Sequence, residues 1–565
     1  MIFPESVWQH TRGRCWLLSL ILCLSVSSSA ICSAQDAEAA DSASGASKSD
    51  VFELKLSDYL QRVLENNEAL QAQMLGAEAS RRKARSEYGM FEPELVNTFT
   101  REINQRTNNV EERAAQGGAG YFSERNNIYD SALESLLPTG GKIRLGYTLS
   151  DLQNNVNPFG SILSTTNELW IRQYQTFVGA TVSQPLLKNG GRRVTLAAIR
   201  IAAMDSEIAF QEYRRELMLT ISRAESAYWN LYFAQEQLRF FEESVTVAQS
   251  ILDDAEAKVK AGSAAELEVL EAQSGLALRK TKQNEALQNY YAAVGTVFTF
   301  AGAQPTDINR TIWAVDVPMP SRLPLIYTNS FQSAFGLNPD YLIQLKKVEA
   351  QKLRVDVARN QVLPELNVRG AFGYNGLGAT PGDSLDIATS QEFPSWSIGV
   401  ELRIPLAGNI RGRNQLAASK LTLQEAIANL NSIETQLANM LNTSMRKARS
   451  WQDSIRSYET VVRFNQDLLK TQLARLEVGR IEPRKVLEVE ADLFDARQNL
   501  AAALVEYHRT LLELQLADGT LLRNRNLDLT REQLQQRTLA LLKRDALPSA
   551  IYKPRPLFQP ADRTF

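Results

Sequence analysis

Thiols are nearly absent: Cys15, Cys23 and Cys32 are the only cysteines in 565 residues. All three fall early, so the rest of the chain can form no disulfide and offers no thiolate nucleophile or cysteine metal site. Histidine is scarcer still, with only His10 and His508. That removes most of the material for nucleophile–histidine dyads and for Cys/His metal centres. His508 stands in the helical pattern AAALVEYHRTLLELQ, where a packing or surface role is expected. No P-loop occurs, and neighbouring carboxylates such as Asp253 and Asp254 read as a solvated helix face rather than a catalytic pair. No catalytic residue, metal site or cofactor is therefore expected. There is also no surplus of one charge: 62 Lys+Arg against 64 Asp+Glu leave a net −2, which gives no basic footprint for nucleic acid.

Long hydrophobic runs are missing too. The run WLLSLILCLSV (16–26) follows Arg12 and Arg14 and is shorter than the ~20 residues of a membrane-spanning helix. It reads as a secretory signal over 1–34, with cleavage after Ala34 and Ala30 as a second site; 35–50 reads as a flexible linker. Ile31 is bulkier than the residue that lipid attachment at Cys32 requires, which disfavours a lipoprotein. An exported chain without a spanning helix is periplasmic, secreted or a β-barrel.

What the chain does contain is a repeat. VKAGSAAELEVLEAQSGL (259–276) and EVGRIEPRKVLEVEADL (477–493) align with Gly262 on Gly479 and Val269-Leu270-Glu271 on Val486-Leu487-Glu488, an offset of 217. Upstream, Asn67 matches Asn338 and Pro93–Leu95 matches Pro364–Leu366 at an offset of 271, while Pro185-Leu186 matches Pro405-Leu406 at 220. Each half reads helix, strand, long loop, strand, long helix, turn, helix. The long helices, 192–261 and 413–478, contain neither Gly nor Pro. In the first, apolar or small residues recur from 196 to 259 at a mean spacing of 3.5, the seam of a left-handed coiled coil. Shorter helices over 57–90 and 266–299, and over 329–361 and 484–517, have the lengths to stack end to end beside each long one. The proline-bearing linker 301–324 is expected outside regular structure, and 543–565 reads as a tail.

Two strands per half are legible. In SWSIGVELRIPL, Trp396, Ile398, Val400, Leu402 and Ile404 alternate with Ser397, Gly399, Glu401 and Arg403; ELNVRGAFGY sets Leu366, Val368, Phe372 and Tyr374 against Asn367 and Arg369. Such alternation suits a transmembrane barrel and equally a half-buried soluble sheet. The first half carries extra sequence, 92 positions from Pro93 to Pro185 against 41 from Pro364 to Pro405. Within it, 131–151 resembles a hairpin, with Ile143, Leu145, Tyr147 and Leu149 in alternation; an extracellular lid and two added barrel strands both remain open.

Together the tandem repeat, the P-E-L opening of a strand in each half, the P-L closing the next, and the glycine turns followed by V-L-E resemble the TolC-type outer-membrane efflux proteins over about 51–520. The resemblance implies a mainly α fold with a transmembrane β-barrel portion: a tandem-repeat α-helical coiled-coil barrel plus about four strands per chain, the barrel closed by trimerisation. It divides the chain into a first repeat 51–300, a linker 301–328, a second repeat 329–520 and a periplasmic tail 521–565. It implies an outer-membrane location with the helical tunnel in the periplasm, and a passive exit duct for efflux or type I secretion. The implied partners are two further copies, a periplasmic adaptor, an inner-membrane pump of RND or ABC type, and outer-membrane lipid. By the same resemblance Gly262, Ser263, Ala264, Ala265, Gly479, Arg480 and Ile481 form adaptor-docking tips, with Val259 and Val478 packing behind them. Lys485 and Glu488 fall where family members narrow the periplasmic entrance with aspartates. The competing reading is a periplasmic coiled-coil scaffold with a small soluble β-domain.

Overall fold

The computed structural model describes residues 52–115, 120–155, 171–262, 265–302, 312–320, 327–478 and 480–545. The signal, the 35–50 linker, the end of the tail and the turn residues Ser263, Ala264 and Gly479 lie outside the described residues. The first half runs β1 (Phe52–Leu54), α1 (Leu56–Asn66), α2 (Glu68–Ser86), β2 (Glu94–Thr107), α3 (Val110–Ala115), β3 (Tyr121–Leu136), β4 (Lys142–Asn154), β5 (Ile171–Pro185), α4 (Arg192–Thr195), α5 (Ala197–Lys260) and α6 (Glu266–Ala301). The second half runs β6 (Ile312–Ala314), α7 (Tyr327–Leu337), α8 (Pro339–Gln361), β7 (Glu365–Gly378), α9 (Pro381–Thr389), β8 (Pro394–Arg403), α10 (Ile410–Glu477), α11 (Pro483–Ala517), α12 (Leu521–Asn524) and α13 (Arg531–Asp545).

With 64 and 68 residues, α5 and α10 each extend ~100 Å at ~1.5 Å per residue. Along α5 lie α2 and α6, and along α10 lie α8 and α11, the end-to-end stacking that the lengths predict. The matched asparagines acquire a structural reason. Asn67 caps α2 by accepting from the Leu70 amide at 3.1 Å, and Asn338 caps α8 by accepting from the Tyr341 amide at 3.1 Å. Each break meets the end of a later helix. Gly302 and Gly519 close α6 and α11 in the left-handed region, at φ 62° and 75°. A Cβ at Gly302 would stand 2.8 Å from the Asn66 carbonyl oxygen, and one at Gly519 would stand 2.5 Å from the Leu337 carbonyl carbon. The repeat is thus a repeated junction, in which a capped break in one helix receives the glycine end of another.

The strand count differs from the sequence reading. Among the described residues one antiparallel sheet has the order β2-β3-β4-β5-β7-β8, six strands rather than four. The added pair is the hairpin β3–β4, paired along its length with β2 on one side and β5 on the other. Its turn at 137–141 is tied to the helical end of the sheet: the Gly191 amide donates to the Thr139 carbonyl at 2.9 Å, and Thr139 Oγ1 donates to Gln184 Oε1 at 2.8 Å. Residues 131–151 therefore form sheet rather than lid. The linker is corrected as well. Ile312–Ala314 pairs in parallel with β1, and Ala314 exchanges backbone bonds with the Gln235 side chain at 2.9 and 3.2 Å. Burial of Ile312 and Ala314 outweighs the breaking tendency of the surrounding prolines.

His508 takes the packing role, one of the two that its helical pattern allows. Its ring stacks on Trp229 at 4.7 Å, Nε2 finds no hydrogen-bond partner among the described residues, and burial pushes its pKa from 6.5 down to about 4. The unfolded chain takes the proton first. Between pH 6.5 and about 4 the unfolded state binds more protons, so stability falls as pH falls through this window, by about 3 kcal/mol from this group. Urea unfolding at pH 7 and pH 4 should show a smaller difference for His508→Leu than for the wild type; identical pH slopes would rule out a neutral buried imidazole.

Candidate functional site: a two-faced sheet and paired helical tips

The register sorts the sheet into two faces, because residues directly opposite on neighbouring strands point the same way. Leu95, Leu133, Leu145, Ala180, Phe372 and Trp396 form one continuous row across all six strands. The next rows on that face add Ile143, Val182 and Ile398 on one side and Tyr147, Val178 and Tyr374 on the other. This face is apolar and open: Trp396, Ile398 and Val400 are 71%, 74% and 67% exposed. The opposite face is charged. Asp130 pairs with Arg144 and accepts from Thr148 at 2.7 Å, and Glu401 pairs with Arg369 at 2.6 Å and Arg403 at 2.7 Å. Apolar outside and polar inside is the arrangement of a barrel wall in lipid around a wet lumen, and it argues against a soluble β-domain.

The helical tips form where α5 turns into α6 and α10 into α11. Gly262 adopts φ 71° and donates to the Val259 carbonyl at 2.9 Å; a Cβ there would meet nothing within 4 Å among the described residues, and Gly262 itself is exposed. Ala265 is extended and caps α6, with its carbonyl accepting from Glu268 at 3.0 Å. Arg480 is exposed and donates its amide to the Arg475 carbonyl at 2.9 Å, while Ile481 packs inward. Ala248, Ile251, Leu252 and Ala255 of α5, Ala272 and Leu276 of α6, Leu476 of α10 and Val486 of α11 make one core, so the two tips stand side by side. The repeated valines have their reason here: Val486 is fully buried and Val269 packs against the same cluster. Val478 does not pack as expected; it is 66% exposed.

Lys485 and Glu488 pair at 3.0 Å, as their three-residue spacing predicts. Arg484, which has no part in the sequence reading, adds a second contact to Glu488 at 3.3 Å. The Lys485 hydrogen bond and charge, then the Arg484 charge, hold the Glu488 carboxyl below the usual range.

A further cross-link is not legible in the sequence. Arg279 of α6 contacts Glu490 of α11 at 2.5 Å, Ser244 Oγ of α5 at 3.0 Å and the Leu487 carbonyl at 3.2 Å. It stands 17 residues after Gly262, whereas Glu490 stands 11 after Gly479. The pair joins non-equivalent positions of the repeat, so no alignment of the halves can reveal it.

Comparison with known proteins agrees with this architecture. The family model for outer membrane efflux proteins matches residues 142–303 and 331–520. The outer membrane protein TolC of Vibrio cholerae is 23% identical over 367 residues, spanning 61% of this chain and 76% of its own length. Among solved structures, the Campylobacter jejuni CmeC outer membrane channel superposes with a TM-score of 0.58 at 14% identity, covering 86% of this chain and 88% of its own. The outer membrane protein VceC from Vibrio cholerae gives 0.56 at 15% identity, covering 82% and 96%.

Proposed function

Because the chain belongs to the outer membrane efflux protein family, and is an outer-membrane efflux channel with a helical tunnel in the periplasm, we propose that three copies close one barrel of eighteen strands. This duct passively conducts substrate from an inner-membrane pump of RND or ABC type, through a periplasmic adaptor, to the cell exterior. The observation that carries the reading is the open sheet. β2 and β8 are its edges and run in opposite directions, so the β8 edge of one copy can pair antiparallel with the β2 edge of the next. In lipid each unpaired backbone group costs several kcal/mol, so six strands with open edges do not stand alone there. Apolar residues left exposed on α10, Leu421 and Phe464 at 72% and 66%, supply a face for the neighbouring copy.

In this reading the adaptor grips the tips around Gly262, Ser263, Ala264, Ala265, Gly479, Arg480 and Ile481. Gly479→Trp should abolish crosslinking to the adaptor while outer-membrane insertion persists, because the tip is remote from the sheet. Crosslinking and transport that both survive would move the docking site elsewhere.

Lys485 and Glu488 face the entrance to the duct, where Arg484 and Lys485 offset the Glu488 carboxylate and weaken its attraction for cations. Lys485→Asp should make single-channel current in planar bilayers more sensitive to trivalent cations added on the periplasmic side. An unchanged block would place the pair outside the conduction path.

A further inference from the structure

Helix α9 belongs to the connection between β7 and β8, and it lies on the apolar face of the sheet rather than on the charged one. Thr176, Gly376 and Gly378 fix this placement. Thr176 and Gly376 share the row of Leu149, and Gly378 shares the next row with Asp151 and Tyr174. Thr176 Oγ1 and Ser384 Oγ are 2.8 Å apart and buried. A Cβ at Gly376 would stand 1.8 Å from the Ser384 carbonyl oxygen, and one at Gly378 would stand 2.6 Å from the Ser384 amide nitrogen, so only glycine lets the helix come down. Ser384 and Ala388 are buried against the sheet, while Asp383 and Asp386 are exposed.

Beside the helix opens a groove of about 1030 Å³. Its floor includes Tyr147, Val178, Phe372 and Tyr374, and Pro381 and Leu385 of α9 form its wall. Above it, toward β5's start, the face turns polar: Asp151 is held by Arg172 at 2.8 Å. The groove therefore lies where the apolar band gives way to polar residues and is continuous with the band below. A lipid tail seated there touches protein on two sides, unlike one lying against the open sheet.

We propose that this groove holds an acyl chain of a membrane phospholipid, retained against exchange by α9. The inference rests on the reading that the apolar face meets the membrane. Continuity with that face favours a lipid tail over a peptide, whose backbone polar groups would find few partners on such a floor.

Native mass spectrometry of the protein extracted in mild detergent, with phosphatidylglycerol as the added probe, tests it. At detergent levels that strip the surrounding lipid, wild type should retain phosphatidylglycerol. Val178→Trp, which fills the groove, and the milder Leu385→Ser should each lower retention about tenfold, whereas Val400→Trp, on the same face outside the groove, should not. Equal retention in Leu385→Ser and wild type, or equal loss in Val400→Trp, would overturn the groove. The membrane-face premise has its own readout, the difference in brominated-acyl-chain quenching between wild type and Trp396→Phe. No difference would overturn the premise, whereas quenching of Trp396 with unchanged retention in the groove variants would overturn the groove alone.

Discussion

Excising residues 108–155 is expected to leave a folded, trimeric channel whose barrel is about two-thirds as wide as that of the wild type. The deletion removes α3, β3 and β4 and leaves each chain with four of its six strands. Two strands are removed together, so β2 and β5 still run antiparallel. The faces also survive: Leu95 lies opposite Leu133, Leu133 opposite Leu145 and Leu145 opposite Ala180, so Leu95 can pair with Ala180 with both side chains on the apolar face. Barrel diameter grows roughly linearly with strand number, so going from eighteen strands to twelve reduces it by about one third. Electron microscopy of wild type and variant trimers in detergent reads the width directly. Equal widths would mean that the hairpin stands outside the wall, and a wild type that purifies as a monodisperse, channel-forming monomer would remove trimer closure altogether.

The second large effect is expected at the tips. Arg279→Ala should destabilise the paired tips by about 3–5 kcal/mol, because it strands Glu490, whose side chain is 9% exposed, without its cation. Loss of the bonds to Ser244 and the Leu487 carbonyl adds to the effect by freeing α6 from α5 and α11. Replacing both partners with apolar residues, Arg279→Met with Glu490→Leu, should recover most of the stability, since the buried charge is then absent. Hydrogen exchange at α6 and α11 near the tips gives the local free energy of opening. A change below about 1 kcal/mol in Arg279→Ala would show that the hydrophobic tip core holds the helices without the pair.

Features set by short-range physics are readable in the sequence alone. A 3.5-residue seam, freedom from Gly and Pro, and matched glycines specify two long helices and their turns, because helix caps and periodic faces depend on residues only a few positions apart. The breaks at Asn67 and Asn338 are not read there: 57–90 and 329–361 read as single helices, and the matched asparagines prove to be caps only where Gly302 and Gly519 meet them. The alternation in Trp396–Leu402 likewise identifies β8 and its apolar face. The hairpin is legible only in part. Ile143, Leu145, Tyr147 and Leu149 alternate cleanly in β4, but in β3 Ser131 and Asn127 share a face with Leu133 and Tyr129 and blur the pattern.

Tertiary structure decides the rest, in each case through contacts between distant segments. Pairing of β5 with β7 fuses the two halves into one sheet, joining Ala180 to Phe372 across nearly 200 residues, and nothing in either strand names the other. Seating α9 on the apolar face depends on Gly376 and Gly378 meeting Ser384, where the absence of a side chain becomes informative only once the helix lies above it. Arg279 and Glu490 are two charged residues among many on helical faces. Their pairing arises because α6 and α11 pack at an offset that the repeat does not share, and burial then makes one ion pair count for more than the exposed ones around it.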